Sequence, residues 1–107
     1  MSRFTEFVER LVAVIESRRH ADPSVSWSAR LLADPALAAK KLGEEAIETV
    51  LAAAKGDNDA LAAESADLIY HWLVVLASAG VSLDDVAAKL EAREGTSGIE
   101  EKAARPS

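Results

Sequence analysis

Two acidic residues and a histidine interrupt the most apolar segment of this chain, ESADLIYHWLVVLA at 64–77. Glu64, Asp67 and His71 lie on one narrow stripe of a helix, because they follow one another at steps of three and four residues. The segment is otherwise apolar on nearly every side, which predicts a buried helix. Since ionised carboxylates are rarely buried unless they are paired or bound to a metal, this stripe is a candidate functional site.

A second acidic group, KKLGEEAIE at 40–48, precedes this segment. Glu45 and Glu48 are three residues apart and Glu44 is four before Glu48, so all three share one face of a helix with Lys41. Taken alone, these residues also fit a solvated helix face with i,i+4 ion pairs. Their chemistry becomes specific only in combination with the second acidic pair.

The two acidic pairs belong to consecutive helices that a short turn would make antiparallel neighbours. Glu45 and Glu48 would then face Glu64 and Asp67. Four converging carboxylates raise one another's pKa values unless a cation neutralises them, and ligand sets made only of oxygen favour Mg²⁺ or Mn²⁺ over zinc or copper. The pattern therefore predicts a metal site formed by Glu45, Glu48, Glu64 and Asp67.

Each piece also has a structural interpretation. Glu64 and Asp67 could stabilise the first turns of a helix through its dipole, and a lone histidine such as His71 is more often a hydrogen-bonded core residue than a ligand. A di-iron carboxylate bundle is disfavoured, because it requires Glu-x-x-His pairs, and His71 follows Asp67 by four residues. A helical dimerisation module without catalytic activity remains an alternative.

Composition indicates one all-α domain over residues 1–107, since half of the residues are apolar and only 5 Gly and 3 Pro occur. The net charge of −6 argues against broad attachment to nucleic acids or anionic membranes. No cysteine is present to form disulfides or thiolate metal sites. The longest uncharged run, between Asp67 and Asp84, is shorter than the roughly 20 residues of a membrane span, so we expect a cytoplasmic protein.

The periodicity predicts an antiparallel bundle of about four helices. The first ends near Arg19, and a loop with at most one short turn follows over 20–33. Asp34 and Gly56 are expected to cap a helix over 35–55, and a second long helix ends at Gly80. A short helix runs to about residue 94, and the tail from about 95 is polar, with Ile99 as its one large apolar residue. The buried stripe of the first helix is predicted to comprise Phe4, Phe7, Val8, Leu11, Val12 and Ile15.

Self-association is expected from the apolar surface of the second long helix. One short fourth helix and the first helix can scarcely cover Ile69, Tyr70, Leu73 and Leu76 together. We therefore predict a homodimer or a higher homo-oligomer.

Beyond these patterns, three segments carry a resemblance to a known family: KKLGEEAIETV, ESADLIYHWLVVLA and SLDDVAAKLEAREGTSGIEEKAAR. They resemble the phosphoribosyl-ATP pyrophosphatases of histidine biosynthesis, over the chain from about Leu11 to Arg105. That family belongs to the all-α NTP pyrophosphohydrolases, which include MazG and the dimeric dUTPases. The superfamily is marked by an ExxE pair and an ExxD pair on two helices, which the four acids named above match.

The resemblance implies Mg²⁺-dependent hydrolysis of phosphoribosyl-ATP between its α and β phosphates, which yields phosphoribosyl-AMP and pyrophosphate. A MazG-like housecleaning enzyme acting on ordinary or damaged (d)NTPs is the alternative. The resemblance also implies that Glu45, Glu48, Glu64 and Asp67 hold the metal. Glu44 could be the base that takes the water's proton, and the sequence does not decide which glutamate does so. The substrate-binding candidates are Lys40, Lys41, Arg19 and Lys102 for the phosphates, Trp27 as an aromatic platform where the family more often has Tyr, and His71 as a hydrogen-bonding residue.

Overall fold

A computed structural model describes residues 2–95, in which every regular element is a helix. The helices are α1 (Arg3–Ser17), α2 (Trp27–Leu32), α3 (Pro35–Lys55), α4 (Asn58–Ala79) and α5 (Leu83–Ala92). The predicted all-α class is confirmed. The predicted tail residues Ile99 and Lys102 lie outside the described part of the chain.

The ends of the two long helices follow from local capping chemistry, as predicted. The Asp34 carboxylate accepts a hydrogen bond from the Leu37 amide, and Pro35 occupies the first turn of α3. Gly56 ends α3 with a φ of 71°, a left-handed conformation that favours glycine. Asp57 then caps α4, so α3 and α4 form a tight antiparallel hairpin.

Further along the chain, α5 begins at the predicted capping box. The Ser82 hydroxyl accepts from the Asp85 amide, and the Asp85 carboxylate accepts from the Ser82 amide. Gly80, with a φ of 73°, ends α4 at the predicted residue.

The segment predicted as a loop with at most one short turn contains the six-residue helix α2. Ser26 caps it by accepting a hydrogen bond from the Ala29 amide, and Leu31 and Ala29 are fully buried. Tertiary burial therefore stabilises a helix that its serine-rich surroundings disfavour locally. As a result, residues 2–95 form five helices rather than about four.

The core is small and is centred on α4, which contacts α1, α2 and α3. Its buried cluster consists of Ile15, Leu31, Ala38, Leu73 and Val74. By length and composition α4 could cross a membrane, but one such helix is weak evidence of a span. Its contacts with three neighbouring helices indicate the central helix of a bundle.

The solvent exposure of two apolar surfaces differs from the prediction. Phe4 and Phe7 are 62% and 54% exposed, because α1 packs against the core only through its later residues, from Val8 to Ile15. The Arg10 guanidinium lies 4.3 Å from the centre of the Phe7 ring and covers part of it.

The α4 residues that were expected to be uncovered instead pack against other residues of the same chain. Leu73 is buried, and Ile69, Tyr70 and Leu76 pack against the core. The exposed apolar stripe is on α3, where one helix face carries Ile47, Val50 and Leu51, with exposures of 62%, 65% and 52%. The carboxylate face of α3 is turned toward α4.

Candidate active site

Three carboxylates meet between α3 and α4. Glu45 and Glu48 lie one turn apart on α3, and Glu64 faces them from α4. One oxygen of each residue lies within 4.8 Å of the others. The antiparallel hairpin brings residues 45 and 64 together although they are far apart in sequence, as the spacing predicted.

The inner oxygens of this cluster have no protein partner. Glu45 Oε2 and Glu64 Oε2 are buried without a hydrogen bond among the described residues. Two ionised carboxylates cannot donate to each other, so protein groups alone leave these atoms unsatisfied.

The surroundings of the cluster favour the protonated form of its carboxyl groups. When protonated, Glu64 can share a hydrogen bond with Glu48, and this raises the pKa of Glu64 to about 7; burial and the charges of Glu48 and Glu45 act in the same direction. Burial, followed by the charges of Glu48 and Asp67, raises the pKa of Glu45. Both shifts show that ionising the whole cluster is unfavourable unless a positive charge is added.

Asp67 lies beside the cluster rather than within it. Its side chain is exposed, and its charge acts on Glu45, but it is not among the three residues whose oxygens converge. His71, one turn further along α4, is buried, and its Nδ1 lies 2.8 Å from the Asp67 carbonyl oxygen. If Nδ1 donates that hydrogen bond, Nε2 of a neutral imidazole is an acceptor.

These donors fit a hard divalent cation. The converging atoms are all carboxylate oxygens, and two of them are buried and unpartnered. Burial and neighbouring negative charges both contribute to the raised pKa values of Glu45 and Glu64. A cation would satisfy the orphaned oxygens and relieve the repulsion. The absence of sulfur and imidazole among the three converging groups disfavours zinc and copper.

Two neighbouring lysines of α3 differ in their ion pairs. The Lys41 ammonium lies 3.0 Å from the Glu44 carboxylate, and both side chains are partly exposed. Glu44 is therefore held by an ion pair one turn before Glu48. Lys40 is exposed and makes no ion pair in the part of the chain that the structure describes.

Arg19, another predicted substrate-binding residue, is held away from the carboxylates. The Arg19 guanidinium pairs with Glu16 at 2.6 Å and donates to the Ala77 carbonyl at 3.0 Å, near the far end of α4. Trp27, at the start of α2, is 43% exposed. Their roles in substrate binding, like that of Lys102, stay predictions.

Sequence reasoning missed three polar features around the cluster. The Thr49 hydroxyl contacts backbone carbonyls of both α3 and α4. Ser28 and Tyr70 share a hydrogen bond that joins α2 to α4, and the Tyr70 ring lies edge-on to His71. The sequence signal for Thr49 is its position directly after the ExxE pair, but spacing alone does not reveal its partners.

A recess of about 230 Å³ adjoins the cluster at the hairpin end of α3 and α4. Glu48 and Glu64 line one side, and Lys55 and Asp57 are also in its wall. It places one lysine beside two of the clustered acids.

A helical bundle in which an ExxE helix faces an ExxD helix has the arrangement expected of an all-α nucleoside triphosphate pyrophosphohydrolase. Residues 8–94 match the model of a family described as phosphoribosyl-ATP pyrophosphohydrolase, and the chain belongs to this family, as predicted.

Relatives named phosphoribosyl-ATP pyrophosphatase are similar over nearly the whole chain. The Caulobacter vibrioides protein is 69% identical over 96% of both chains. A Caulobacter sp. protein is 66% identical over the full length of both, and the Ruegeria pomeroyi protein is 57% identical over 90% of this chain and 92% of its own. The similarity therefore includes both carboxylate helices.

Proposed function

We propose that this protein hydrolyses phosphoribosyl-ATP to phosphoribosyl-AMP and pyrophosphate, the second step of histidine biosynthesis, with Mg²⁺ as cofactor and Mn²⁺ as a substitute. The observation that carries the proposal is the cluster of Glu45, Glu48 and Glu64, with two buried unpartnered oxygens, in a member of this family. Asp67, beside the cluster, is the proposed fourth ligand.

The carboxylates of this chain have distinct parts in the proposed reaction. When bound, Mg²⁺ stabilises the negative charge that develops on the phosphate oxygens. Glu45 and Glu64 supply the inner oxygens, and exposed Glu48 closes the cluster on the solvent side. Water attacks one phosphorus of the α–β bridge, and the bond from that phosphorus to the bridging oxygen breaks. Glu44, held by Lys41, is the proposed acceptor of the water's proton.

Positive side chains are needed for the remaining phosphate charge. Lys40 and Lys41 lie on the helix that carries the acids, and Lys55 lines the recess next to Glu48 and Glu64. An ammonium group neutralises phosphate oxygens as a point charge, which suits a substrate with several of them.

Incubation of the purified protein with phosphoribosyl-ATP and Mg²⁺ should release one pyrophosphate for each phosphoribosyl-AMP formed. Excess EDTA should stop the reaction, and added Mg²⁺ or Mn²⁺ should restore it. Product analysis by chromatography together with a pyrophosphate assay measures both products. The control is a panel of ordinary dNTPs at equal concentration: faster turnover of any dNTP would favour the MazG-like alternative, and no pyrophosphate from any substrate would favour a dimerisation module.

We also propose a cytoplasmic homodimer or higher homo-oligomer, without nucleic-acid or membrane partners. Two exposed apolar surfaces support self-association: the α3 stripe of Ile47, Val50 and Leu51, and the groove of about 390 Å³ between α1 and α4 that Phe4 and Phe7 help to line. Such a surface is unusual for a small monomer.

The mass in solution should be at least twice the 11.3 kDa of one chain at micromolar concentration, as measured by light scattering after size exclusion. Val50→Asp should shift the equilibrium toward monomer, because it places a charge in the apolar stripe. Ala88→Asp, at an exposed position of α5, is the matched control and should not change the mass. A wild-type monomer would contradict the proposal.

A further inference from the structure

One side chain links the two helices that form the carboxylate cluster. The Thr49 hydroxyl lies 2.8 Å from the Glu45 carbonyl oxygen on its own helix and 3.3 Å from the Glu64 carbonyl oxygen on α4. It joins a side chain of α3 to the backbone of α4. Both carbonyls belong to residues of the cluster.

This contact is not needed to satisfy either carbonyl group. In an α-helix each carbonyl oxygen inside the element already accepts from the amide four residues later. The hydroxyl has a single proton, which two acceptors must share. Its effect is therefore geometric: it holds the turn of α3 that carries Glu45 against the turn of α4 that carries Glu64.

Electrostatic repulsion between the clustered carboxylates opposes this contact between the two helices. Glu45, Glu48 and Glu64 carry like charges when ionised, and their repulsion favours separation of α3 from α4. The buried Ala52 of α3 and the capped turn at Gly56 hold the hairpin on one side of the cluster. Thr49 acts at the level of the cluster itself.

We propose that Thr49 is a positioning residue that fixes the spacing of α3 and α4 so that Glu45 and Glu64 present their inner oxygens to one cation. This role rests on the proposed function, because it requires the cluster to bind a cation. A threonine suits it, since branching at Cβ restricts the side chain to few rotamers and keeps the hydroxyl directed at the two carbonyls.

The test compares Thr49→Val, which keeps the shape and removes the hydroxyl, with Thr49→Ser, which keeps the hydroxyl. Mg²⁺ binding is measured by calorimetry on the protein without substrate, and the half-saturating Mg²⁺ concentration is measured in turnover. Thr49→Val should weaken Mg²⁺ binding by about fivefold, the effect of one ordinary hydrogen bond. Thr49→Ser should remain within about twofold of wild type.

Ile15→Val is the control for a general loss of stability. Ile15 is 1% exposed in the core on α1, away from the carboxylates, and its truncation should lower the melting temperature without changing Mg²⁺ affinity. Equal Mg²⁺ affinities for Thr49→Val and wild type would overturn the positioning role. A Thr49→Ser protein as weak as Thr49→Val would also overturn it, because retaining the hydroxyl would then fail to preserve Mg²⁺ binding.

The wild-type protein separates this inference from the proposed function. If wild type binds no Mg²⁺, the cation site itself fails, and the role of Thr49 fails with it. If wild type binds Mg²⁺ and turns over phosphoribosyl-ATP while Thr49→Val is unaffected, only the role of Thr49 is overturned.

Discussion

Replacing Glu48 with Gln should reduce turnover of phosphoribosyl-ATP by about a thousandfold at saturating Mg²⁺, while the helical fold is retained. Glutamine has nearly the same shape but carries no charge, so the cation loses one anionic ligand. Glu48 is also exposed, so the substitution leaves the packed core unchanged. Steady-state rates and far-UV circular dichroism check the two parts of this expectation.

The same substitution should raise the melting temperature of the metal-free protein. The charge of Glu48 raises the pKa of Glu64 and also that of Glu45, so its removal relieves repulsion within the cluster. Added Mg²⁺ should then stabilise the variant less than wild type. A merely damaged protein would instead melt at a lower temperature in both conditions.

Two further variants test whether the loss of activity is specific to the carboxylates of the site. Asp67→Asn should also abolish turnover if Asp67 is the fourth ligand, although it lies beside the three converging groups. Glu91→Gln, on the exposed surface of α5, removes one carboxylate elsewhere and should leave the rate unchanged. Near-wild-type activity of Glu48→Gln at saturating Mg²⁺ would show that the ligand assignment is wrong.

The helix ends were predictable because capping is local chemistry. Asp34 and Gly56 act on backbone groups within a few residues of themselves, and their side-chain types nearly specify the conformation. The short turn that they define makes α3 and α4 antiparallel neighbours. That geometry, together with the three-residue spacing, was enough to predict that Glu45 and Glu48 meet Glu64.

Burial was less predictable, because it depends on which face of a helix finds a partner. Periodicity gives α3 a polar face and an apolar face, and ordinary amphipathic packing would turn the apolar face inward. The structure turns the carboxylates toward α4 and leaves Val50 and Leu51 exposed. The short helix α2 escaped prediction for a related reason: burial of Leu31 stabilises it, and no local signal encodes that burial.

The environment of each site residue depends on how the helices pack against one another. Helical spacing places Asp67 and Glu64 on one stripe, but a small rotation of α4 decides which of them converges with Glu45. The second contact of Thr49 depends on the same rotation and on the distance between the helices. Sequence spacing specifies neither quantity.

Mg²⁺ affinity should fall about tenfold as the pH decreases from 8 to 6, because one carboxyl with a pKa of about 7 must lose its proton before it can bind the cation. The carboxyl is that of Glu64, and the raised pKa of Glu45 can only steepen the dependence. Calorimetry at pH 6, 7 and 8, in buffers with different ionisation enthalpies, measures both the affinity and the protons released.

Stability of the metal-free protein should change with pH in the opposite direction. A free glutamate releases its proton near pH 4.5, whereas Glu64 in the folded chain retains it up to about pH 7. Between these values the folded state binds more protons than the unfolded state, so its stability decreases as the pH rises. This contribution is fully present below about pH 4.5 and is lost above pH 7. Thermal unfolding in EDTA should therefore show a contribution from Glu64 that lowers the melting temperature between pH 6 and pH 8.

A histidine provides the competing explanation for a pH-dependent affinity, since imidazole side chains commonly change charge in this range. His71 is buried one turn from Asp67, and a positive charge there would repel a cation. His71→Asn removes the imidazole and leaves the carboxylates in place. If its Mg²⁺ affinity still falls about tenfold between pH 8 and pH 6, the dependence belongs to the carboxylates; if the dependence disappears, it belongs to His71. A flat affinity in both proteins would mean that Glu64 binds the cation without giving up a proton, which is incompatible with a tightly coupled acidic cluster.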